Sequence, residues 1–187
     1  MKHQRRHTSD NKIIDVYDDV FTQAERDFHI NFAYNSKYRI NPVFQNSFWV
    51  KDKNFFVSPF DLNDLNHFNF TNTDAFQPIA SQLNEHEVDR CYLNISSLAT
   101  NSYFHVDYHD VGRKTLLYYI NSRWSREWGG ETLFANKYGE CEVAVEYKPG
   151  RIVLFDAEIE HKPTNQSTDS DEFRCVFVIQ YRQKEIQ

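Results

Sequence analysis

Residues 173–182 read FRCVFVIQYR, and their pattern predicts a β-strand that is buried on both faces. Successive side chains of a strand point to opposite faces of its sheet. One face of this strand is apolar and carries Phe173, Cys175, Phe177, Ile179 and Tyr181. The other face carries Arg174, Val176, Val178 and Gln180. The strand is therefore expected to point Arg174 into the protein, among valines.

This position for Arg174 is costly unless an anion lies beside it, because a buried guanidinium without a partner loses its hydration. The anion can be an internal Asp or Glu, or it can be a bound ligand. In a third alternative, Arg174 is exposed at the end of the strand. The strand pattern leaves these alternatives open.

Six stretches before this strand also have strand character, and turn residues separate them. They cover residues 88–96, 103–108, 114–121, 131–135, 142–147 and 151–156. All five glycines of the chain lie between positions 112 and 150, where they punctuate these strands. Seven short strands in succession predict a mainly β protein, either a sandwich or a barrel.

The part of the chain before residue 88 predicts helices and an opening strand. Residues 13–20 alternate weakly and predict the strand. Thr22 followed by Glu25 fits a capping box, which predicts a helix that ends near Tyr34. A second helix is expected over residues 74–84. Helices are thus expected to flank the β structure.

The composition allows one domain. Of the 187 residues, 40% are hydrophobic and 16% are aromatic, which is enough for one core and too little for two. We therefore predict a single domain over residues 11–187. Residues 1–10 contain Lys2, Arg5 and Arg6, and so short a basic run is expected to be a disordered, solvated tail.

The charge and the cysteines exclude several classes of partner. The net charge is −6, so no positive field attracts nucleic acid, and we expect none as a partner. No apolar run approaches the roughly 20 residues that span a bilayer, so no membrane association is expected. Cys91, Cys141 and Cys175 are odd in number and show no C-x-x-C spacing, which predicts a reducing compartment, the cytoplasm.

Two possible metal ligands lie on one predicted strand. His105 and Asp107 are two positions apart in residues 103–108 and so share a face. His161 follows the strand at 151–156 after a short turn, and a neighbouring strand can bring it to the same point. Two His and one carboxylate leave positions open on a metal, which suits non-haem Fe(II) oxygenases. A catalytic Zn²⁺ site is the alternative.

Several motifs, taken in order, resemble one family. They are HVD at 105–107, TLLYYIN at 115–121, WGGET at 128–132 with Phe134, PGRIVLF at 149–155, His161, and FR at 173–174. Together they resemble the catalytic domain of the prolyl 4-hydroxylase-like Fe(II)- and 2-oxoglutarate-dependent oxygenases. The resemblance covers about residues 88–181, roughly half of the chain.

The resemblance implies a fold, a set of cofactors and a reaction. The fold is a double-stranded β-helix, a cupin-like jelly roll, with helices on one side. Fe(II), 2-oxoglutarate and O2 act together, with ascorbate as a supporting reductant, and a substrate is hydroxylated as succinate and CO2 are released. The implied substrate is a prolyl residue in a peptide or protein. Another side chain or a small molecule is the alternative.

The resemblance also implies roles for individual residues. The implied iron ligands are His105, Asp107 and His161. Arg174 would bind the distal carboxylate of 2-oxoglutarate in bidentate fashion, and Tyr119 would add a second hydrogen bond there, although a core role for Tyr119 is equally open. Tyr92 would contact the co-substrate, but the loop that follows it is longer than in prolyl hydroxylases and lacks their glycine.

The remaining motif residues have simpler expected roles. Gly129, Gly130 and Thr132 are expected to form a turn and to start a strand. Trp124 and Trp128 either pack the end of the barrel or line a substrate groove.

Substrate contacts and two rival functions complete the expectations. We expect the contacts on the long connections at residues 36–60, 124–128 and 163–172. One rival is a zinc hydrolase, which would need a general base near the metal and no buried Arg. The other is a jelly-roll binding module that has lost turnover.

Overall fold

The computed structural model describes residues 1–40, 55–61, 65, 73–96, 98 and 102–185. The strands of these residues form an eight-stranded sheet and a three-stranded sheet, and every strand pairing is antiparallel. The larger sheet has the order β1 (Lys2–His7), β2 (Ile13–Asp18), β9 (Ile152–Asp156), β6 (Lys114–Tyr119), β11 (Arg174–Gln183), β5 (His86–Ser96), β4 (Phe55–Phe60) and β3 (Arg39–Ile40). The smaller sheet has the order β10 (His161–Pro163), β7 (Thr132–Ala135) and β8 (Cys141–Val145).

A buried apolar core joins strands of the two sheets. It includes Val16, Leu117, Phe134, Val145, Val153, Val176 and Val178. Because strands of both sheets contribute alternate side chains to this core, the sheets pack face to face as in a jelly roll. The predicted mainly β double-stranded β-helix is therefore confirmed.

Strand β11 has the two buried faces that its sequence predicts. It lies between β6 and β5, and its first eight residues are buried. Val176 and Val178 point into the core between the sheets, whereas Phe177 and Ile179 pack on the opposite side, under the helices. Arg174 shares the face of the two valines, so its guanidinium lies on the inner side of the larger sheet.

The helices cover the outer side of the larger sheet. Helix α1 (Gln23–Asn35) begins at the predicted capping box, in which the Thr22 hydroxyl accepts from the Glu25 amide. The predicted second helix is instead a four-residue helix, α2 (Gln77–Ala80), between two 3₁₀ turns (Asp74–Phe76 and Ser81–Leu83). Pro78 provides no amide hydrogen and favours the first turn of a helix, so no long helix extends through it.

The first ten residues are not a disordered tail, contrary to the expectation from their composition. Residues of β1 pair in register with β2 from Lys2 opposite Asp18 to His7 opposite Ile13. Arg5 donates two hydrogen bonds of 2.9 Å to the buried Asp15, and His3 contacts the same carboxylate at 2.7 Å. The basic side chains therefore neutralise a buried acid, which a count of charges cannot anticipate.

Two other predicted elements differ from the structure. Residues 103–108 do not form a strand. Only His105 makes a β-bridge, to His161, and the amides of Asp107 and Tyr108 both donate to the same carbonyl, that of Ala157, which is not the pattern of a strand ladder. Part of the predicted connection at residues 36–60 is strand β4, and residues 41–54 of that connection lie outside the described part of the chain.

Two further observations concern compartment and membrane. Cys91, Cys141 and Cys175 are free thiols. In the described ranges, no helix combines the length and the apolar character that crossing a membrane requires.

Candidate metal and co-substrate site

The structure brings His105, Asp107 and His161 together, and their ligand atoms all lie within 4.8 Å of one another. The Nε2 atom of His105 is 3.9 Å from Oδ1 of Asp107, and the Nε2 atom of His161 is 3.8 Å from Oδ2. Three ligand atoms at this separation can surround one metal ion. In the described residues, no other group of three such side chains does so.

Backbone hydrogen bonds hold His105 and Asp107, which lie outside the regular strands, beside the segment that ends at His161. The amide of His105 donates to the carbonyl of His161 at 3.0 Å, and the reverse bond measures 2.9 Å. The amides of Asp107 and Tyr108 both donate to the carbonyl of Ala157, at 3.0 and 3.3 Å. Residues 105–108 therefore follow residues 157–161 closely, and this pairing brings the two parts of the site together.

The two imidazoles present the same nitrogen to the centre of the cluster. Nδ1 of His161 lies 2.9 Å from the carbonyl of Ile159, and Nδ1 of His105 lies 3.0 Å from the carbonyl of Tyr103. A carbonyl only accepts, so each Nδ1 carries the hydrogen. Each Nε2 then keeps its lone pair, as a metal ligand requires.

His161 is a neutral imidazole at neutral pH. Burial lowers its pKa to about 4; the Asp107 carboxylate opposes the shift, while His105 and Arg174 add to it. Neutral imidazole is the form that binds a metal.

Thr115 is a part of the cluster that sequence reasoning did not identify. Its side chain is fully buried, and its hydroxyl donates to Oδ2 of Asp107 at 2.6 Å. The signal was present, since Thr115 is the only aliphatic hydroxyl residue in the run TLLYY of strand β6. The bond orients the carboxylate and leaves Oδ1 without this donor.

Arg174 is buried, with 4% of its surface exposed, and its hydrogen bonds go to neutral groups. Its Nε donates to the carbonyl of Gly130 at 2.8 Å, and one terminal nitrogen donates to the Thr132 hydroxyl at 3.1 Å. In the described part of the chain, no carboxylate lies within 4.0 Å of the guanidinium. Of the three alternatives, exposure at the strand end is wrong, and the described residues supply no internal acid.

Aromatic rings surround this guanidinium. Its central carbon lies 5.4 Å from the ring centre of Tyr119 and 5.1 Å from that of Tyr147, and the two rings stack at 4.4 Å. The Tyr119 hydroxyl is 2.7 Å from the Thr132 hydroxyl, and burial raises the pKa of Tyr119. Tyr119 is thus a core residue whose hydroxyl lies beside the groups that hold the guanidinium.

Thr132 and the glycine pair do more than form a turn. Gly129 and Gly130 have the expected positive φ, of 70° and 81°. In addition, the Gly130 carbonyl and the Thr132 hydroxyl hold Arg174. A Cβ on Gly130 would come within 3.3 Å of Arg174 Cδ, so glycine also allows the close approach.

Strand β7 sets the spacing between Arg174 and the metal cluster. Thr132 contacts Arg174, and Phe134 packs against the His161 ring at 5.9 Å between ring centres. These two residues are neighbours on one face of β7, which separates them by roughly 7 Å. A short molecule with a carboxylate at one end and metal ligands at the other can span that distance.

The space between Arg174 and the metal ligands is called the cavity, and the other expected site residues lie around it. Tyr92 packs against the core between the sheets, and burial and the Asp107 carboxylate both raise its pKa. Trp124 donates from its indole nitrogen to the Gly129 carbonyl at 2.9 Å and packs on Tyr147. Trp124 therefore packs the end of the barrel, and Trp128 contacts it edge to face.

The donor set fits Fe(II). Two neutral imidazole nitrogens and one carboxylate oxygen on one side of an ion leave its other positions open. A closed structural zinc site would have a fourth protein ligand, and the described residues offer none in the cluster. The fold and the site together define a double-stranded β-helix metalloprotein.

Comparison with known families narrows this class. Residues 92–179 match the family model of the 2OG-Fe(II) oxygenase superfamily, and this range includes the three ligand candidates and Arg174. This match covers a little less than half of the chain. Together with the fold and the ligand cluster, it identifies a 2-oxoglutarate-dependent dioxygenase that uses Fe(II). Among curated proteins, no sequence matches.

Solved structures share the fold at low sequence identity. A prolyl hydroxylase from Trichoplax adhaerens is 13% identical, with a TM-score of 0.67 over 91% of this chain and 83% of that chain. A prolyl-4-hydroxylase from Pseudomonas putida is 15% identical, with a TM-score of 0.61 over 91% and 92%. HygX from Streptomyces hygroscopicus, with nickel and 2-oxoglutarate bound, is 11% identical, with a TM-score of 0.69 over 93% and 84%.

Proposed function

We propose that His105, Asp107 and His161 hold Fe(II), that Arg174 binds the distal carboxylate of 2-oxoglutarate, and that the enzyme hydroxylates a prolyl residue in a peptide or protein. The observation that carries this proposal is the buried guanidinium of Arg174, which lies near a three-ligand cluster and has no described carboxylate partner. A buried cation in this state is explained by an anionic ligand.

The two imidazoles and the carboxylate are suited to an open catalytic site. When bound, Fe(II) and 2-oxoglutarate supply the oxidising chemistry with O2, and succinate and CO2 are the other products. Asp107 and the two histidines would bind the ion from one side only. The hydrogen bonds from each Nδ1 keep both imidazoles in the tautomer that can bind a metal.

Arg174 and its neighbours orient the co-substrate. Nε donates to the Gly130 carbonyl and one terminal nitrogen donates to Thr132, so the other terminal nitrogen and the second hydrogen of the first remain for a carboxylate. Thr132 and Tyr119 offer two hydroxyls beside that position. Tyr147 and Trp124 close the cavity behind the guanidinium and exclude water from the ion pair, which strengthens it. We assign Tyr92, which packs against the core between the sheets, as a further contact of the co-substrate.

The prolyl substrate is supported by analogy with similar structures. The Trichoplax protein is a prolyl hydroxylase solved in complex with a peptide fragment of the hypoxia inducible factor oxygen degradation domain, and the Pseudomonas protein is a prolyl-4-hydroxylase. A small molecule is the second candidate, because HygX was solved with hygromycin B bound. In both cases we assign substrate contacts to the connections at residues 36–60, 124–128 and 163–172.

The remaining assignments concern the chain as a whole. We assign residues 11–187, together with β1, to one oxygenase domain, because β1 pairs along the full length of β2. The three free thiols support a reducing compartment, the cytoplasm. Ascorbate is expected to support turnover by keeping the iron reduced.

The test of the proposed function is a product search. The enzyme, Fe(II), 2-oxoglutarate and ascorbate are incubated with a peptide digest and, separately, with a metabolite extract from a cell lysate. Mass spectrometry then identifies products that gain one oxygen, with the Asp107→Ala protein as the control. We expect hydroxylated prolyl peptides. Products confined to the metabolite extract would overturn the prolyl assignment and favour the second candidate.

A further inference from the structure

A second arginine lies on the metal side of the cavity, and the functions assigned above do not use it. Arg90 is two residues before Tyr92 on β5 and therefore shares its inner face. In the strand register, Arg90 lies opposite Gln180 of β11, and Gln180 lies opposite Thr115 of β6. These three residues form one row across the sheet, and the row ends at the hydroxyl that binds Asp107.

Neutral groups hold the Arg90 side chain in this row. Its Nε donates to Oε1 of Gln180 at 2.5 Å, and Gln180 is fully buried. The guanidinium carbon lies 5.3 Å from the ring centre of Tyr92 and 5.9 Å from that of Tyr108. Arg90 is exposed. Most exposed arginine side chains are free to move, but this one is fixed by an amide and two aromatic rings.

The charge of Arg90 is not compensated by any acid that the structure describes. In the described ranges, no carboxylate lies within 4.0 Å of its guanidinium. The adjacent Asp89 is already occupied, because it accepts from Tyr108 at 2.6 Å and from Arg113 at 2.9 Å. Arg90 thus remains an unpaired cation in a chain whose net charge is −6.

The strand register relates this cation to the metal ligands. Thr115, whose hydroxyl donates to Oδ2 of Asp107, is two strands away from Arg90 in the same row. Neighbouring strands are about 4.8 Å apart, so the backbones of Arg90 and Thr115 are roughly 10 Å apart. Arg90 therefore lies on the same face of the sheet as the metal cluster, whereas Arg174 is at the other end of β11.

We propose that Arg90 is a substrate-recognition residue that binds a carboxylate of the substrate close to the carbon that is hydroxylated. The inference rests on the proposed function and names its substrate class, which is acidic. Since Nε is committed to Gln180, the two terminal nitrogens are the donors, and they can bind a carboxylate as a fork. The carboxylate belongs either to an acidic residue beside the hydroxylated position of a peptide or to a small acid.

A direct binding experiment tests the site without turnover. The protein is loaded with Zn(II), a diamagnetic substitute for iron, and with saturating 2-oxoglutarate. The Nε–Hε signal of Arg90 is followed by NMR and is assigned by its loss in Arg90→Lys. N-acetylglutamate and N-acetylglutamine are the probes. We expect the acid to shift this signal with an affinity at least about tenfold above that of the amide. Equal affinities, or no shift with either probe, would overturn the inference.

The matched control is Arg182→Gln, which removes the same charge from an exposed arginine near the C-terminal end of β11, outside the row. Arg182 pairs with Glu87 at 2.7 Å, outside the cavity. N-acetylglutamate should bind this variant as it binds the parent, whereas Arg90→Gln should lose the preference for the acid. If both variants lose it equally, the effect is one of net charge, and the assignment of Arg90 fails.

A third measurement shows whether the carboxylate belongs to a peptide or to a small acid. It also distinguishes a failure of the Arg90 assignment from a failure of the prolyl function. Decapeptides that differ only in having Glu or Gln next to a proline are compared as substrates and as NMR probes. A preference for Glu that disappears in Arg90→Gln identifies a peptide acid. An NMR shift with N-acetylglutamate and no peptide product keeps the inference but rejects the prolyl function. Efficient hydroxylation of both peptides, with a silent Arg90 signal, rejects the inference alone. A loss of 2-oxoglutarate affinity in Arg90→Gln would instead make Arg90 a co-substrate contact.

Discussion

Thr115 donates a hydrogen bond of 2.6 Å to Oδ2 of Asp107 from a fully buried position on β6. One carboxylate oxygen is thereby committed, and the other is presented to the metal. We expect Thr115→Val to weaken metal binding by about 10–100-fold, the usual effect of losing such a supporting bond. Titration with Mn(II) measures the loss.

Two variants make this test specific. Thr115→Ser keeps the hydroxyl and should recover most of the affinity. Thr8→Val is the control, because the Thr8 hydroxyl is similarly buried but bonds to Asp10, which is not part of the metal cluster. This variant should bind metal like the parent. A Thr115→Val protein that binds Mn(II) like the parent would show that Asp107 needs no such support.

Arg174 provides the second prediction. Arg174→Met should weaken 2-oxoglutarate binding at least about tenfold, because a charge-assisted hydrogen bond contributes about 1.5–3 kcal/mol. Metal affinity should change little. Arg174→Lys should retain part of the affinity, since it keeps the charge and loses the fork. Calorimetric titration of 2-oxoglutarate into the Mn(II)-loaded protein provides the numbers.

An unchanged affinity in Arg174→Met would reject the assignment, and other arginines offer little replacement. Arg151 donates two hydrogen bonds to Asp18, at 2.8 and 2.9 Å, and Arg182 pairs with Glu87. Both are already engaged with carboxylates of the chain.

The ligand candidates provide the third prediction. His161→Ala and Asp107→Ala should each abolish succinate formation and leave the fold largely intact, because the site is open and its ligands are not structural. Asp107→Glu should also be poor, since the longer side chain moves the oxygen. Succinate is measured by NMR and stability by thermal unfolding. His109→Ala is the control, an exposed histidine outside the cluster. Normal turnover in either alanine variant would remove that residue from the site.

The fourth prediction separates the oxygenase from a zinc hydrolase. Fe(II) and 2-oxoglutarate added together without O2 should produce a weak visible charge-transfer absorption, because a 2-oxo acid then chelates the metal. Neither component alone should produce it. If Zn²⁺ alone supports a hydrolytic activity and 2-oxoglutarate has no effect, the hydrolase is the correct assignment.

His29 provides a prediction about stability and pH. Its ring is buried against Tyr118 and Phe21, and burial lowers its pKa to about 4. The folded protein therefore favours neutral His29. This contribution is complete above pH 6.5, the ordinary value for histidine, and is lost as the pH falls from there towards 4. The loss over that range is on the order of 3 kcal/mol.

The measurement compares two profiles. Urea unfolding of the metal-free parent and of His29→Leu is followed between pH 7 and pH 4. We expect the unfolding free energy of the parent to fall relative to that of His29→Leu as the pH falls, because only the unfolded parent gains a proton on His29. Two parallel profiles would mean that folding does not lower the pKa of His29.

Much of the fold follows from local patterns. The alternation around Val176 and Val178 predicts a strand with two buried faces, and the pair Thr22 and Glu25 predicts the start of α1. These features depend on neighbouring residues, so a sequence shows them directly. The β1 strand was missed because its residues are polar and charged, and its stability comes from Asp15, which is more than seven residues away.

The site could be predicted only in part. Its ligand types follow from the motifs, but their meeting depends on the pairing of residue 105 with residue 161, which is a long-range contact. Thr115, Thr132 and Arg90 were not identified, because their roles come from cross-strand neighbours and not from spacing along the chain. Such neighbours become visible only once the strand register is known.

Under the proposed binding of 2-oxoglutarate at Arg174, the stability of the folded protein depends on the concentration of this co-substrate. Without an anion, the core holds a charge among Tyr119, Tyr147 and a main-chain oxygen, and this weakens the folded state. A ligand present at about 100 times its Kd adds about 2.7 kcal/mol to stability. A cell poor in 2-oxoglutarate would thus contain a smaller fraction of folded enzyme, and each folded molecule would turn over more slowly. The concentration of this metabolite would therefore affect the rate of the reaction in two ways.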